Sequence, residues 1–160
     1  MEFGIFSKAF KDGERIPDLY SNTRHGKNIS PPLHWENPPE QTKYFAIIVE
    51  DVDAPIIGII PHWILCNIPS ASRELQEGMP ERGSFFDGTI QGRNFFRRNA
   101  YMGPNPPFGT HRYYFKIFAL DAEIKTDLKM TRGKLLKAMA KHILGQAQLM
   151  GIYSKKSSIQ

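Results

Sequence analysis

Apolar residues in this chain come in short blocks separated by glycine and proline, and most blocks lack a helical period. Tyr44–Glu50 (YFAIIVE) and His62–Ile68 (HWILCNI) are apolar at nearly every position. Runs of this length, apolar on both alternating faces, predict strands buried in the centre of a sheet. Arg112–Leu120 (RYYFKIFAL) is rich in aromatic and branched residues and predicts a third long strand. Phe3–Phe6, Leu33–Trp35 and roughly Gln146–Tyr153 read as further strands, with Pro31-Pro32 and Pro38-Pro39 bracketing the second. Only Thr131–Leu144 has a helical period. Thr131 is placed to cap it and Gly145 to stop it, while Leu135, Leu136, Met139 and Ile143 form an apolar stripe opposite Lys134, Lys137 and Lys141. Many strands and one late helix predict a mainly β protein, an antiparallel β-sandwich with one main helix in its C-terminal half.

The 160 residues contain no internal repeat and no long linker, so one domain is expected over residues 1–160, with the tail KKSSIQ frayed. A content of 41% hydrophobic and 23% charged residues suits a globular fold, and no apolar run is long enough for a transmembrane helix. The start, MEFGIFSKAFKDGERIP, lacks the pattern of a signal peptide. The single cysteine, Cys66, excludes an internal disulfide and a zinc site built on cysteines, and a reducing, cytoplasmic home is the simplest reading. The net charge of +5 is scattered, apart from Arg93, Arg97 and Arg98 and a lysine-rich C-terminal region. With no helix-turn-helix or RNA-binding strand motif, nucleic acid is not expected as the main partner. A basic surface of this kind steers anionic ligands instead.

Polar residues then stand out where strands end. Asp51-Val52-Asp53-Ala54-Pro55 closes one strand, His62 opens the next, and Gly109-Thr110-His111-Arg112-Tyr113 opens a third. Side chains alternate faces with period two. Phe45, Ile47, Val49, Asp51 and, if the strand runs on, Asp53 therefore share a face, as do His111, Tyr113, Phe115 and Ile117. An apolar face ending in polar groups describes a pocket mouth at the edge of a core. Arg112 falls opposite His111 and is expected to bind a carboxylate structurally. Two carboxylates, two imidazoles and a phenol supply acceptors and protonatable donors, a set suited to a small anion such as a phosphate, a phospho-head group or a carboxylate. Each residue also has a plainer reading: Asp53 as a turn residue, His62 bonded to a backbone carbonyl, His111 capping the turn after Pro106-Pro107-Phe108-Gly109. The long loop from Gly78 to Gly109, with four arginines and Pro104, Pro106 and Pro107, is expected to pass along the rim. No HxH or HExxH spacing supports a metal, and no GxSxG elbow or nearby serine supports a hydrolase. Neither a cofactor nor an enzymatic activity is expected.

These motifs, in order, resemble the phosphatidylethanolamine-binding protein family, including its Raf-kinase-inhibitor-like bacterial and archaeal branch. The resemblance rests on Ser30-Pro31-Pro32-Leu33-His34-Trp35, Asp51–Pro55, His62-Trp63, Asn67-Ile68-Pro69, Tyr101–Pro107, Gly109–Tyr113 and Gly151-Ile152-Tyr153. It implies a β-sandwich with a small anion pocket at one end of its larger sheet and a cis peptide at Ala54-Pro55. It maps the ligand-binding group onto Asp51, Asp53, Ala54, Pro55, His62, Asn105, His111 and Tyr113. Family members are described as binding phosphorylated head groups, and some as restraining kinases or proteases; a homodimer is compatible with the resemblance. Val52 departs from the usual proline, and Arg97 and Ala100 stand where the bacterial branch often has glycine. The residues after Tyr153 hold no counterpart of the helix that closes the pocket in mammalian relatives, so a more open mouth is expected.

The leading expectation is a non-enzymatic anion-binding module. Protonated His62 and His111, Tyr113 and backbone N–H groups would grip the anion, while Asp51 and Asp53 orient the histidines and raise their pKa. The rival is an inhibitor or scaffold that acts through its surface, with a structural pocket; a hydrolase comes third.

Overall fold

A computed structural model describes residues 1–155, so most of the tail read as frayed lies outside the described residues. The three long apolar runs form β3 (Tyr44–Ala54), β4 (Gly58–Pro69) and β7 (His111–Leu120), each reaching further toward the polar end than the apolar residues alone. β1 (Gly4–Phe6), β2 (Leu33–Glu36) and β8 (Ile143–Tyr153) are the remaining expected strands; β5 (Glu74–Leu75) and β6 (Ile90–Gln91) are two-residue edges without a sequence signal. All pairings between these strands are antiparallel, in a small sheet ordered β1-β2-β5 and a larger one ordered β6-β4-β3-β7-β8.

β3 is apolar on both faces because both are covered. Phe45, Ile47 and Val49 meet Trp63, Leu65, Phe115 and Ile117 and the small sheet's Ile5, Leu33 and Trp35 in the core between the sheets. Ala46 and Ile48 face the other way, into a second core with Ile64, Cys66 and Phe118 under the helix residues Leu135 and Met139. Cys66 is buried there, and burial pushes its thiol up to about 12, so it behaves as a small apolar side chain. On the same face Glu50, 1% exposed, is neutralised by Lys116 at 2.9 Å and Arg132 at 2.8 Å. That pair of contacts ties the start of the helix to the centre of the sheet.

The helix, α1, is shorter than its apolar stripe predicts. It spans Arg132–Met139, with the Thr131 side chain accepting from the Lys134 N–H at 3.4 Å. Gly145 does not stop it. The chain turns at His142, whose N–H donates to the Met139 carbonyl at 2.7 Å and whose Nδ1 lies 2.8 Å from Asp121. Ile143, 39% exposed, then pairs with Leu120, and Gly145 lies opposite Ala119 within β8. The unpaired edge of β7 offers a ladder from Ile143 to Tyr153, broken only by a register shift between Ala119 and Leu120, and those backbone hydrogen bonds outweigh one further helical turn.

No peptide bond among the described residues is cis, so Ala54-Pro55 is trans, contrary to the implication of the resemblance. The β3–β4 hairpin reverses by another route. Ile56 (φ 68) and Gly58 (φ 88) both take left-handed backbone, and Ala54 pairs with Gly58. Two left-handed residues turn the chain without a cis bond.

Candidate functional site

The polar ends of β3, β4 and β7 converge on a cavity of about 240 Å³. Register accounts for the meeting: Asp51 sits opposite Tyr113 on one side and Ile60 on the other. Asp51 (3% exposed), His62 (5%), His111 (5%) and Tyr113 (1%) line the wall, together with Ala54, Pro55 and Asn105. His62 and Tyr113 meet edge-on with ring centroids 5.2 Å apart, and the His111 ring lies roughly parallel to the phenol at 6.5 Å.

Asp53 does not join them. The β3–β4 register shifts between Asp51 and Ala54, and the extra length breaks the alternation that would carry Asp53 inward. Its N–H folds back onto Asp51 Oδ1 at 2.8 Å. Its carboxylate faces outward and accepts from the Arg112 backbone N–H (2.8 Å), Nε (2.9 Å) and the terminal nitrogen (2.8 Å). The carboxylate expected of Arg112 is therefore Asp53. Hydrogen bonding to that guanidinium holds the Asp53 carboxyl down at about 2.

The inner groups are fixed by their backbone-side partners. His111 Nδ1 lies 2.7 Å from Asp51 Oδ2, and His62 Nδ1 lies 2.6 Å from the Met102 carbonyl. Neither acceptor has a proton, so each ring donates through Nδ1–H, and a neutral ring keeps only an acceptor at Nε2. The carbonyl contact is the plainer reading of His62, and it coexists with a place in the cavity wall. Burial lowers the His62 pKa and outweighs the opposing pull of the Met102 and Gly103 carbonyls and of Asp51. His62 is thus neutral near pH 7, contrary to the expectation that the aspartates raise it. Its charge would have to be buried almost completely, and Asp53, one of the two expected counter-charges, is turned away. Tyr113 is held in its neutral form by burial and then by the Asp51 carboxylate. Its hydroxyl is buried with no hydrogen-bond partner in good geometry.

The rest of the wall comes from residues outside the predicted ligand-binding group, some of them within the Tyr101–Pro107 motif. Asn22, Ile57, Ile60, Phe95, Phe96, Met102, Gly103, Pro106 and Pro107 complete the lining. The long Gly78–Gly109 loop does pass along the rim, and one asparagine shapes its turn. Asn94 Oδ1 accepts from the Phe96 and Arg98 N–H groups (3.0 and 3.2 Å), and its Nδ2 donates to the Ala100 carbonyl at 2.9 Å. This folded-back turn puts Phe95 and Phe96 at the mouth and Arg97 in left-handed backbone (φ 63). The preference for glycine at that position now has a cause. Gly103 is required for packing, because a Cβ there would collide with the Tyr20 carbonyl. Asn94 was the available signal for Phe95 and Phe96; Asn22 had none. Among the described residues no group of three or more His, Cys, Asp or Glu is arranged to hold a metal.

Comparison with known proteins follows the same lines. The family model described as phosphatidylethanolamine-binding protein matches residues 6–154. A UPF0098 protein of Methanothermobacter thermautotrophicus is 42% identical, covering 92% of this chain and 95% of the relative. One from Aquifex aeolicus is 44% identical over 94% of this chain and 88% of its own length. Among solved structures, Escherichia coli YbcL, described as a member of the mammalian PEBP family, superposes with a TM-score of 0.90 at 31% identity, covering 98% of this chain and all of YbcL (100%). The Chlamydia trachomatis protein CT736, described as a homologue of phosphatidylethanolamine-binding protein, gives 0.87 at 37% identity over 96% and 98% of the two chains.

Proposed function

The chain belongs to the phosphatidylethanolamine-binding protein family, and from that premise we propose a binding role in which the cavity takes a small oxyanion. The observation that carries this reading is the Tyr113 hydroxyl, buried at the cavity wall beside the Asp51 carboxylate but with no acceptor in good hydrogen-bond geometry. Leaving such a donor unpaired costs about 1–3 kcal/mol, which a ligand oxygen recovers. His111, oriented by Asp51, adds a second donor at Nε2 whenever its ring is protonated. Among the described residues of the lining none is an activated nucleophile, which favours capture over turnover. The test is calorimetric titration with inorganic phosphate at pH 6. Tyr113→Phe should weaken binding about tenfold while leaving stability unchanged or slightly raised, because the orphaned hydroxyl is removed. Equal phosphate affinity in wild type and variant would remove the pocket from the account.

A second reading has its own observation. Ile57 (57% exposed), Phe95 (41%) and Phe96 (65%) present apolar surface around the mouth. Exposed apolar groups of this kind fit a protein partner, such as a kinase or a protease, restrained through the rim. Replacing Phe95 and Phe96 by serine would then abolish restraint of such a partner and spare phosphate binding.

A further inference from the structure

The proposed anion site is unusual in its charges. Among the described residues no lysine or arginine lines the cavity. From β3 comes the Asp51 carboxylate, from β4 His62, and from β7 His111 and Tyr113. The described loop segments that complete the wall bring only asparagine, proline, glycine, isoleucine, methionine and phenylalanine. The adjacent cation, Arg112, is turned outward and engaged by Asp53. Any positive charge inside must therefore arise by protonating an imidazole, and for His111 that charge is already matched by Asp51 at 2.7 Å. The two rings share one tautomeric constraint: with Nδ1–H committed, a neutral ring offers a ligand only an acceptor. A fully ionised phosphomonoester would bring two negative charges and no proton to a buried wall that already holds a carboxylate. A singly charged oxyacid leaves half that charge uncompensated, and when it carries an O–H it can donate to a neutral Nε2.

We propose that the cavity selects the singly charged form of an oxyacid and discriminates against the dianion, with Asp51 as the group that sets this limit. The proposal rests on the anion-binding reading above, and the probes separate the two. Methyl phenyl phosphate, a diester, keeps one negative charge at every relevant pH. Phenyl phosphate, a monoester, passes from one charge to about two around its second pKa of about 6. Both carry the same ring for the apolar rim. Affinities for both are measured by calorimetry at pH 5 and pH 8 at fixed salt, and their ratio is taken so that the part of the site's titration common to both probes cancels.

The diester should gain on the monoester by at least tenfold between pH 5 and pH 8. Asp51→Asn keeps an oxygen to accept the His111 Nδ1–H but removes the charge, and should return the pH 8 ratio toward its pH 5 value. Should that variant fail to fold, the wild-type ratio decides alone. A ratio unchanged with pH, or a monoester that binds at pH 8 when the diester does not, overturns charge selection and leaves the anion site standing. Absence of binding by both probes at both pH values removes the anion site, and the selection with it.

Discussion

Asp51 and Asp53 are two residues apart on one strand, and each grips a neighbour on β7 at nearly the same distance, 2.7 Å to His111 and 2.8 Å to Arg112. The surroundings differ. The side chains of the inner pair are 5% and 6% exposed, those of the outer pair 27% and 51%. Outside, water screens a guanidinium that never loses its proton, and the pair does little beyond closing the strand end. Inside, the carboxylate faces an imidazole, beside a hydroxyl with no partner in good hydrogen-bond geometry. Distance is common to both pairs; burial decides which one belongs to a site.

Removing each carboxylate should separate the pairs most sharply. Asp51→Ala unseats His111 and leaves its buried Nδ1–H unpaired, so we expect a loss of roughly 2–3 kcal/mol in urea denaturation. Phosphate binding should be lost with it. A stable Asp51→Ala protein with intact binding would mean that the ring is held in place by packing alone.

Acid separates them next. The folded-state pKa of His62 lies below its ordinary value, so below about pH 6.5 the unfolded chain binds more protons than the folded one. Stability is therefore full above about pH 6.5 and falls as pH drops below it, by up to about 1.4 kcal/mol per pH unit from this one group. The Asp53 carboxyl, held at about 2 against an ordinary 3.8, contributes only lower down, with stability lost as pH falls from 3.8 toward 2. Urea midpoints at pH 7.5 and pH 5 thus report the inside of the cavity and not its outer pair. Wild type should lose more than His62→Gln between those values, and equal losses would place the acid sensitivity elsewhere. The smallest effect belongs to Asp53→Ala, about 1 kcal/mol or less, with phosphate affinity within twofold of wild type.

The distinction between the aspartates shows where sequence reading stops. Parity correctly brings Asp51 and Tyr113 to one end, because β3 and β7 pair without a break from Tyr44 to Asp51. It fails two residues later, where a register shift against β4 turns Asp53 outward, and nothing in Asp51-Val52-Asp53 announces that shift. The helix shows a related limit. Leu135 and Met139 were legible as its buried stripe, but Ile143 fits that stripe and the edge of a sheet equally well, and only the open side of β7 decides. The cavity wall was legible where polar residues ended apolar strands. Its other half comes from loops, where Phe95 and Phe96 are placed by the hydrogen bonds of a single asparagine, a local turn that no hydrophobic period encodes.

The central claim is that a small oxyanion meets the inner imidazoles. The chain carries five histidines, and three of them, His25, His34 and His142, lie outside the cavity lining. They serve as controls within one molecule. Two-bond ¹H–¹⁵N correlation spectra resolve each imidazole during a titration with inorganic phosphate at pH 6. The Nε2 signals of His62 and His111 should move along saturable curves with a common midpoint, while the other three stay fixed. Five rings that drift together, or inner rings that stay still while the outer ones shift, would contradict the account.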